Sequence, residues 1–301
     1  MISPEHAIEA IDERFGDHPR HRALHAKGSL NSGTFTATPA ARRLTRAAHM
    51  QGDKVRTTVR FSNGGGDPNR PDYAPDVRGL AVTFHLTDGS RTDISAQTVP
   101  RFPFSDVDPF IELVRLSKPG PAAALKLPLF LARHPRALGA MRSNAAALKP
   151  PPSFAARRYY AFHAFRWLDA EGGERDVRYT WKPTIDIPDL SRDEAKALGR
   201  DYLREELAER LEAGPVRFEL EVQIAGPGDD PNDPSAVWPE ERERVVVGTL
   251  EVTAPTDEGD DFVFDPTRVT DGIEPSDDPV LAFRPRAYAI SHDRRTGATS
   301  A

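Results

Sequence analysis

Apolar and polar residues alternate with the two-residue period of a strand along several stretches of the first third of the chain. In residues 54–62 (KVRTTVRFS), Val55, Thr57, Val59 and Phe61 fall on one face. Residues 33–38 (GTFTAT), 79–86 (GLAVTFHL) and 93–99 (DISAQTV) read the same way, and residues 87–91 (TDGSR) form a turn between the last two. No helical pattern intervenes between the second, third and fourth stretches, so an antiparallel arrangement is predicted. Upstream, Ala7, Ile8, Ile11 and Phe15 recur at helical spacing and predict a short helical arm over residues 1–20.

The middle of the chain changes period. Residues 110–116, 122–131 and 135–148 are rich in Ala and Leu and helical in spacing, punctuated by Pro119, Pro128 and Pro135. Strand patterns return at 159–168 and 175–183, joined by a hairpin at 171–173, then at 216–224 and 245–252. Residues 191–213 carry the strongest helix signal: Ser191 and Glu194 make a capping box, and Gly214–Pro215 ends it. A late helix is predicted near 276–288. Four strands, helices, then four more strands predict a closed or nearly closed antiparallel barrel with helices outside. Barrels of about eight strands hold one small ligand.

The 301 residues, 38% hydrophobic, suffice for one large domain or two ordinary ones. No run of eighteen apolar residues predicts a spanning helix, and the acidic start carries no secretion signal, so a cytoplasmic protein without a membrane partner is expected. The net charge of −6 argues against nucleic acid as a partner. Cysteine is absent, which excludes thiolate chemistry and leaves any redox work to His, Tyr, carboxylates or a cofactor. Asn63–Gly66 (NGGG) lacks the Lys–Ser/Thr of a phosphate loop, and residues 228–234 (GDDPNDP) lack the glycine and distal glutamate of a calcium loop. Nine histidines occur, and no zinc constellation is visible among them.

Two segments are sharper. Residues 22–28 (RALHAKG) set His25 among short side chains between cations. Residues 284–295 (RPRAYAISHDRR) place Arg284 four positions before Tyr288, on one helical face. A guanidinium beside a phenol oxygen favours the phenolate, a hard ligand for ferric iron. Taken singly, each is more often structural than functional.

Together with VRFS at 59–62, DVRGLAVTFHLTDG at 76–89, AVWP at 236–239, FDP at 264–266 and GIEPSDD at 272–278, these segments resemble the haem catalase superfamily, in order along nearly the whole chain. The resemblance implies an α+β fold, an eight-stranded antiparallel β-barrel with surrounding helices. It implies one haem-binding domain over residues 1–301, with the arm at 1–20 and a helical insertion at 105–150 between strands 4 and 5. It also implies haem b, with Tyr288 as the axial iron ligand and Arg284 holding it as phenolate. His25 becomes the distal acid–base residue, with Ser62 hydrogen-bonded near it. Arg22, Arg60 and Arg295 match positions that contact the haem propionates, His292 matches a proximal-side histidine, and Phe102 and Phe110 match distal-pocket aromatics.

Two departures refine this. Where the family carries a distal asparagine, this chain has Gln97 or its neighbour Thr98. The arm and the C-terminal helical region of full-size catalases are missing or short. The chain therefore resembles the small catalase-related peroxidases. The expected function is reduction of hydrogen peroxide or organic hydroperoxides by small external electron donors, with weak or no catalase activity. Bound NADPH is not expected, and a homodimer is a family-level expectation. The alternatives are a small true catalase, a hydroperoxide isomerase and a non-enzymatic haem-binding protein.

Overall fold

Eight of the strands close on themselves in the computed structural model, which describes residues 2–118, 120–259 and 261–297. They are β1 (Gly28–Ala37), β2 (Lys54–Asn63), β3 (Arg78–His85), β4 (Arg91–Gln97), β5 (Tyr159–Leu168), β6 (Glu174–Pro183), β7 (Val216–Ile224) and β8 (Arg244–Pro255). The order is β4-β3-β2-β1-β8-β7-β6-β5, and the pair Gln97–Tyr160 joins β4 to β5 and completes the barrel. A short ninth strand, β9 (Ile273–Pro275), adds to β5.

Alternation explains the core. Phe35, Phe61, Leu80, Phe84, Trp181 and Phe218, all fully buried, belong to the main apolar cluster inside the barrel. Strand β1 begins five residues before the alternating GTFTAT pattern, because its polar start pairs in register with the end of β2, Gly28 opposite Ser62. Backbone pairing extends a strand where side-chain alternation gives no sign of it. In β5 the register slips between Ala161 and Phe165, and Phe162 and His163 within that stretch are both buried.

The helices lie outside. They are α1 (Pro4–Phe15), α2 (Ala41–Leu44), α3 (Val107–Leu116), α4 (Pro121–Arg133), α5 (Pro135–Asn144), α6 (Arg192–Ala197), α7 (Tyr202–Ala213) and α8 (Pro279–Thr296). Ala7 and Ala10 of α1, Val107 and Ile111 of α3 and Val280 of α8 share a second apolar cluster. Helices α3 to α5 fall between β4 and β5, but Pro128 sits inside α4 rather than dividing two helices. Pro119 lies outside the described residues.

The single helix predicted over 191–213 is two. The capping box of Ser191 and Glu194 starts α6, and the chain then breaks at Gly199, whose φ of +110° favours glycine. The break creates a new helix start. The Asp72 side chain accepts from the Leu203 N–H at 3.0 Å, and the Asp72 N–H donates to the Arg200 carbonyl at 2.8 Å. The late helix also differs from the predicted 276–288. Asp278 caps α8 by accepting from the Val280 and Leu281 N–H groups. Pro285 costs an internal hydrogen bond without ending the helix, which runs on to Thr296. Arg284, Tyr288, His292 and Arg295 therefore share one continuous helix.

Candidate active site

Phe61 and Leu80 oppose each other and face the barrel interior, so the next register pair, Ser62 and Gly79, faces outward. Gly79 in turn opposes Gln97. Ser62, Gly79 and Gln97 thus form one row on the outer wall. Thr98, the other position matched to the distal asparagine, is already committed: its hydroxyl accepts from the Arg78 N–H at 3.0 Å and donates to the Ala147 carbonyl at 3.4 Å.

His25 lies in the loop before β1, against this row. It is the only non-glycine residue of positive φ (55°) among the described residues. Three contacts hold that conformation. Its Nδ1 is 2.9 Å from Ser62 Oγ, its N–H donates to the Gly64 carbonyl at 3.1 Å, and its own carbonyl accepts from Arg60 Nη2 at 2.8 Å. Gly79 makes room: a Cβ there would lie 2.7 Å from both His25 Nδ1 and Ser62 Oγ.

His25 keeps some accessible surface, yet enough protein surrounds it to push its pKa down to about 3. Desolvation is the main cause, followed by the charges of Arg60, Arg284 and Arg22. The imidazole is therefore neutral at ordinary pH. Those three arginines reach it from three elements: β2, α8 and its own loop.

On α8, Arg284 Nη1 donates to the Tyr288 hydroxyl oxygen at 3.0 Å. The Arg284 guanidinium also lies 5.4 Å from the Phe162 ring centre. Phe162 stacks on Phe102 at 5.4 Å, and Phe102 touches Phe110 at 4.8 Å, so the two predicted aromatics join the arginine side of the site. The Ala23 N–H donates to Ser291 Oγ at 3.0 Å, which ties the His25 loop to α8. Arg22 Nη2 donates to the Phe262 carbonyl and Arg295 Nη2 to the adjacent Asp261 carbonyl, so one segment anchors both. His292 follows Tyr288 by one turn and is partly exposed, with Nδ1 3.5 Å from Asp293.

One pair had no counterpart among the residues singled out from the sequence. His163 Nδ1 lies 2.5 Å from Asp278 Oδ2, and both side chains are buried. Burial and the charge of Arg284 outweigh Asp278 and push His163 down to about 4. The ring is then neutral, Nδ1–H donates to the carboxylate, and Nε2 is buried with no hydrogen-bond partner. Asp278 thus serves α8 twice, as helix cap and as the anchor of a histidine within the field of Arg284. Asp followed by Pro is a helix-start signal that could have drawn attention to Asp278; His163, 115 residues away in the slipped stretch of β5, has no such local signal.

A sequence profile of the family described as Catalase matches residues 2–301. A "Catalase-related peroxidase" of Mycolicibacterium paratuberculosis is 49% identical over 98% of this chain and 96% of its own length. A second protein of that description, from Synechococcus elongatus, is 31% identical over 98% of this chain and 89% of its own. A "Catalase" of Alkalihalophilus pseudofirmus is 29% identical over 93% of this chain but only 45% of its own length. With a closed antiparallel barrel, outer helices and a family match across nearly every residue, the chain belongs to the catalase family.

Proposed function

We propose that this protein is a haem-dependent peroxidase that reduces hydrogen peroxide or organic hydroperoxides with small external electron donors. The chain is a peroxide-acting oxidoreductase of the catalase family. The cofactor, residue roles and weak catalase activity are the proposal.

The residues present fit haem b. Among the described residues no cluster of His, Asp and Glu could hold a metal ion by itself. A lone phenol oxygen such as that of Tyr288 suits iron whose other ligands come from a macrocycle. Arg22, Arg60 and Arg295 offer three cations to two propionates, which would be costly to desolvate unpaired. When bound, haem supplies the iron and the electrons for cleaving a peroxide O–O bond.

The rest is work for side chains. Tyr288 would ligate the iron, with the Arg284 guanidinium donating a hydrogen bond to its oxygen. The observation that carries the reading is the neutral, part-buried His25 with Nδ1 committed to Ser62. Its remaining ring nitrogen takes a proton from one peroxide oxygen and returns it to the other. Phe102 and Phe110 keep water from that exchange. Gln97 presents an amide one methylene farther out than an asparagine would, which disfavours orienting a second peroxide as reductant.

The test compares dye oxidation with oxygen release by one purified sample. Donor-dependent peroxide loss with a ferric, phenolate-ligated spectrum supports the reading. Rapid oxygen evolution without a donor makes the protein a true catalase, and bound haem inert to peroxide makes it a carrier.

A further inference from the structure

From Leu113 to Leu168 the chain has no Asp or Glu, although its net charge is −6. Helices α4 and α5 carry Lys126, Arg133, Arg136 and Arg142, all exposed, and none has an ion-pair partner among the described residues. Leu125 (79% exposed) and Leu129 (55%) stand one turn apart on α4, and Leu138 and Met141 one turn apart on α5. Those are four of the six large apolar side chains exposed among the described residues.

The opposite face of this pair is anchored. Phe130 is buried against Phe104 at 5.8 Å between ring centres, and Ala137 and Ala140 are buried from α5. The outward leucines are therefore not the by-product of a loose helix. Exposed apolar pairs on two successive helices, ringed by those unpaired cations, call for an occupant, and the charge selects one. A second copy of this face would set cations against cations. A nucleic acid would use the cations and leave the leucines in water. An anionic bilayer surface takes both: leucines enter the acyl boundary while lysine and arginine stems reach back to the headgroups.

We propose that the outer face of α4 and α5 docks the protein on membranes rich in anionic phospholipid, without crossing them. No helix among the described residues is long and apolar enough to cross. The expectation of no membrane partner rested on the lack of a spanning run, and peripheral docking needs none.

Flotation of the purified full chain with vesicles tests this. One set is phosphatidylcholine alone and the other equal parts phosphatidylglycerol and phosphatidylcholine. The protein is expected to float with the anionic set only, and less as salt rises. Lys126→Gln with Arg133→Gln should weaken binding by roughly 25-fold, at about 5-fold per cation. Leu125→Ser with Leu129→Ser should weaken it by about 10-fold or more. Both pairs should leave circular dichroism and peroxide turnover in solution unchanged. Three results overturn the proposal: no flotation with anionic vesicles at low salt, flotation indifferent to the leucine pair, or a dimer that the leucine pair dissociates while vesicles leave the parent protein in solution.

Discussion

Arg284 Nη1 donates to the Tyr288 hydroxyl oxygen at 3.0 Å, across one turn of α8. A guanidinium donor at that oxygen complements the anionic form in which a phenol oxygen binds ferric iron. Tyr288 is only part-buried, so removing its hydroxyl should cost the fold little. Tyr288→Phe is expected to lose haem while the circular dichroism of the chain stays unchanged. Arg284→Gln is expected to retain less haem and to shift the Soret band of what remains. A normal Soret band in Tyr288→Phe would contradict the ligand assignment.

His25 carries the second prediction. His25→Ala should keep haem, because no ligand is lost, yet slow the first reaction with peroxide by at least ~10²-fold. The pH profile is more specific. With its pKa near 3, His25 stays neutral well below the range of an ordinary histidine. The rate of that first step should therefore be level from neutral pH down to about pH 4. A rate that halves near pH 6.5 would mean an ordinary, solvated imidazole.

What the sequence disclosed, and what it hid, follows from distance along the chain. The strand run 216–224 and the Ser191–Glu194 cap rest on neighbours a few residues apart, and both appear as expected. The hydrogen bond between His25 and Ser62 spans 37 residues and needed the family resemblance to be anticipated. The helix break at Gly199 depends on Asp72, far upstream, caught between Arg200 and Leu203. His163 and Asp278 are 115 residues apart, and His163 lies where the β5 register slips. No local pattern reports either.

Gly79 is the third test. A Cβ at this position would sit 2.7 Å from His25 Nδ1 and from Ser62 Oγ, so Gly79→Ala must part those two groups. Peroxide reduction should fall by at least ~10-fold through loss of His25 positioning, by the same acid–base argument. Haem content should hold, since Tyr288 lies on α8. Parallel loss of haem and activity would assign Gly79 to binding instead.

Asp278 separates cap from anchor. Asn is also a good N-cap, so Asp278→Asn should preserve the bonds to the Val280 and Leu281 N–H groups. Its amide NH2 would face His163 Nδ1, forcing the imidazole proton onto the bare Nε2. Leaving buried polar groups mismatched costs about 1–3 kcal/mol. Asp278→Ala loses the cap as well, worth about 1 kcal/mol more. Urea unfolding of the three proteins should rank them parent, Asn, Ala. Equal stability of the two variants would remove the cap from the account.

His49 sets the acid response of the barrel interior. It is buried between Phe35 and Phe84, its Nδ1 has no partner, and desolvation pushes it down to about 3. Above pH 6.5 it is neutral in both folded and unfolded chains and contributes no pH dependence. Between pH 6.5 and about 3 the unfolded chain binds a proton that the folded one refuses, so stability falls as pH falls. From pH 6.5 to pH 4 this amounts to roughly 3 kcal/mol for one such group. His25 and His163 act in the same direction. Asp93, pushed up to about 6, acts in the opposite one: between its unfolded value and about 6 the folded chain holds the extra proton. The stability difference between His49→Phe and the parent isolates the His49 share, because the other groups are common to both. Urea unfolding at successive pH values should show that difference shift in favour of the variant by about 3 kcal/mol between pH 6.5 and pH 4. A difference independent of pH would mean that His49 titrates alike in the folded and unfolded chains.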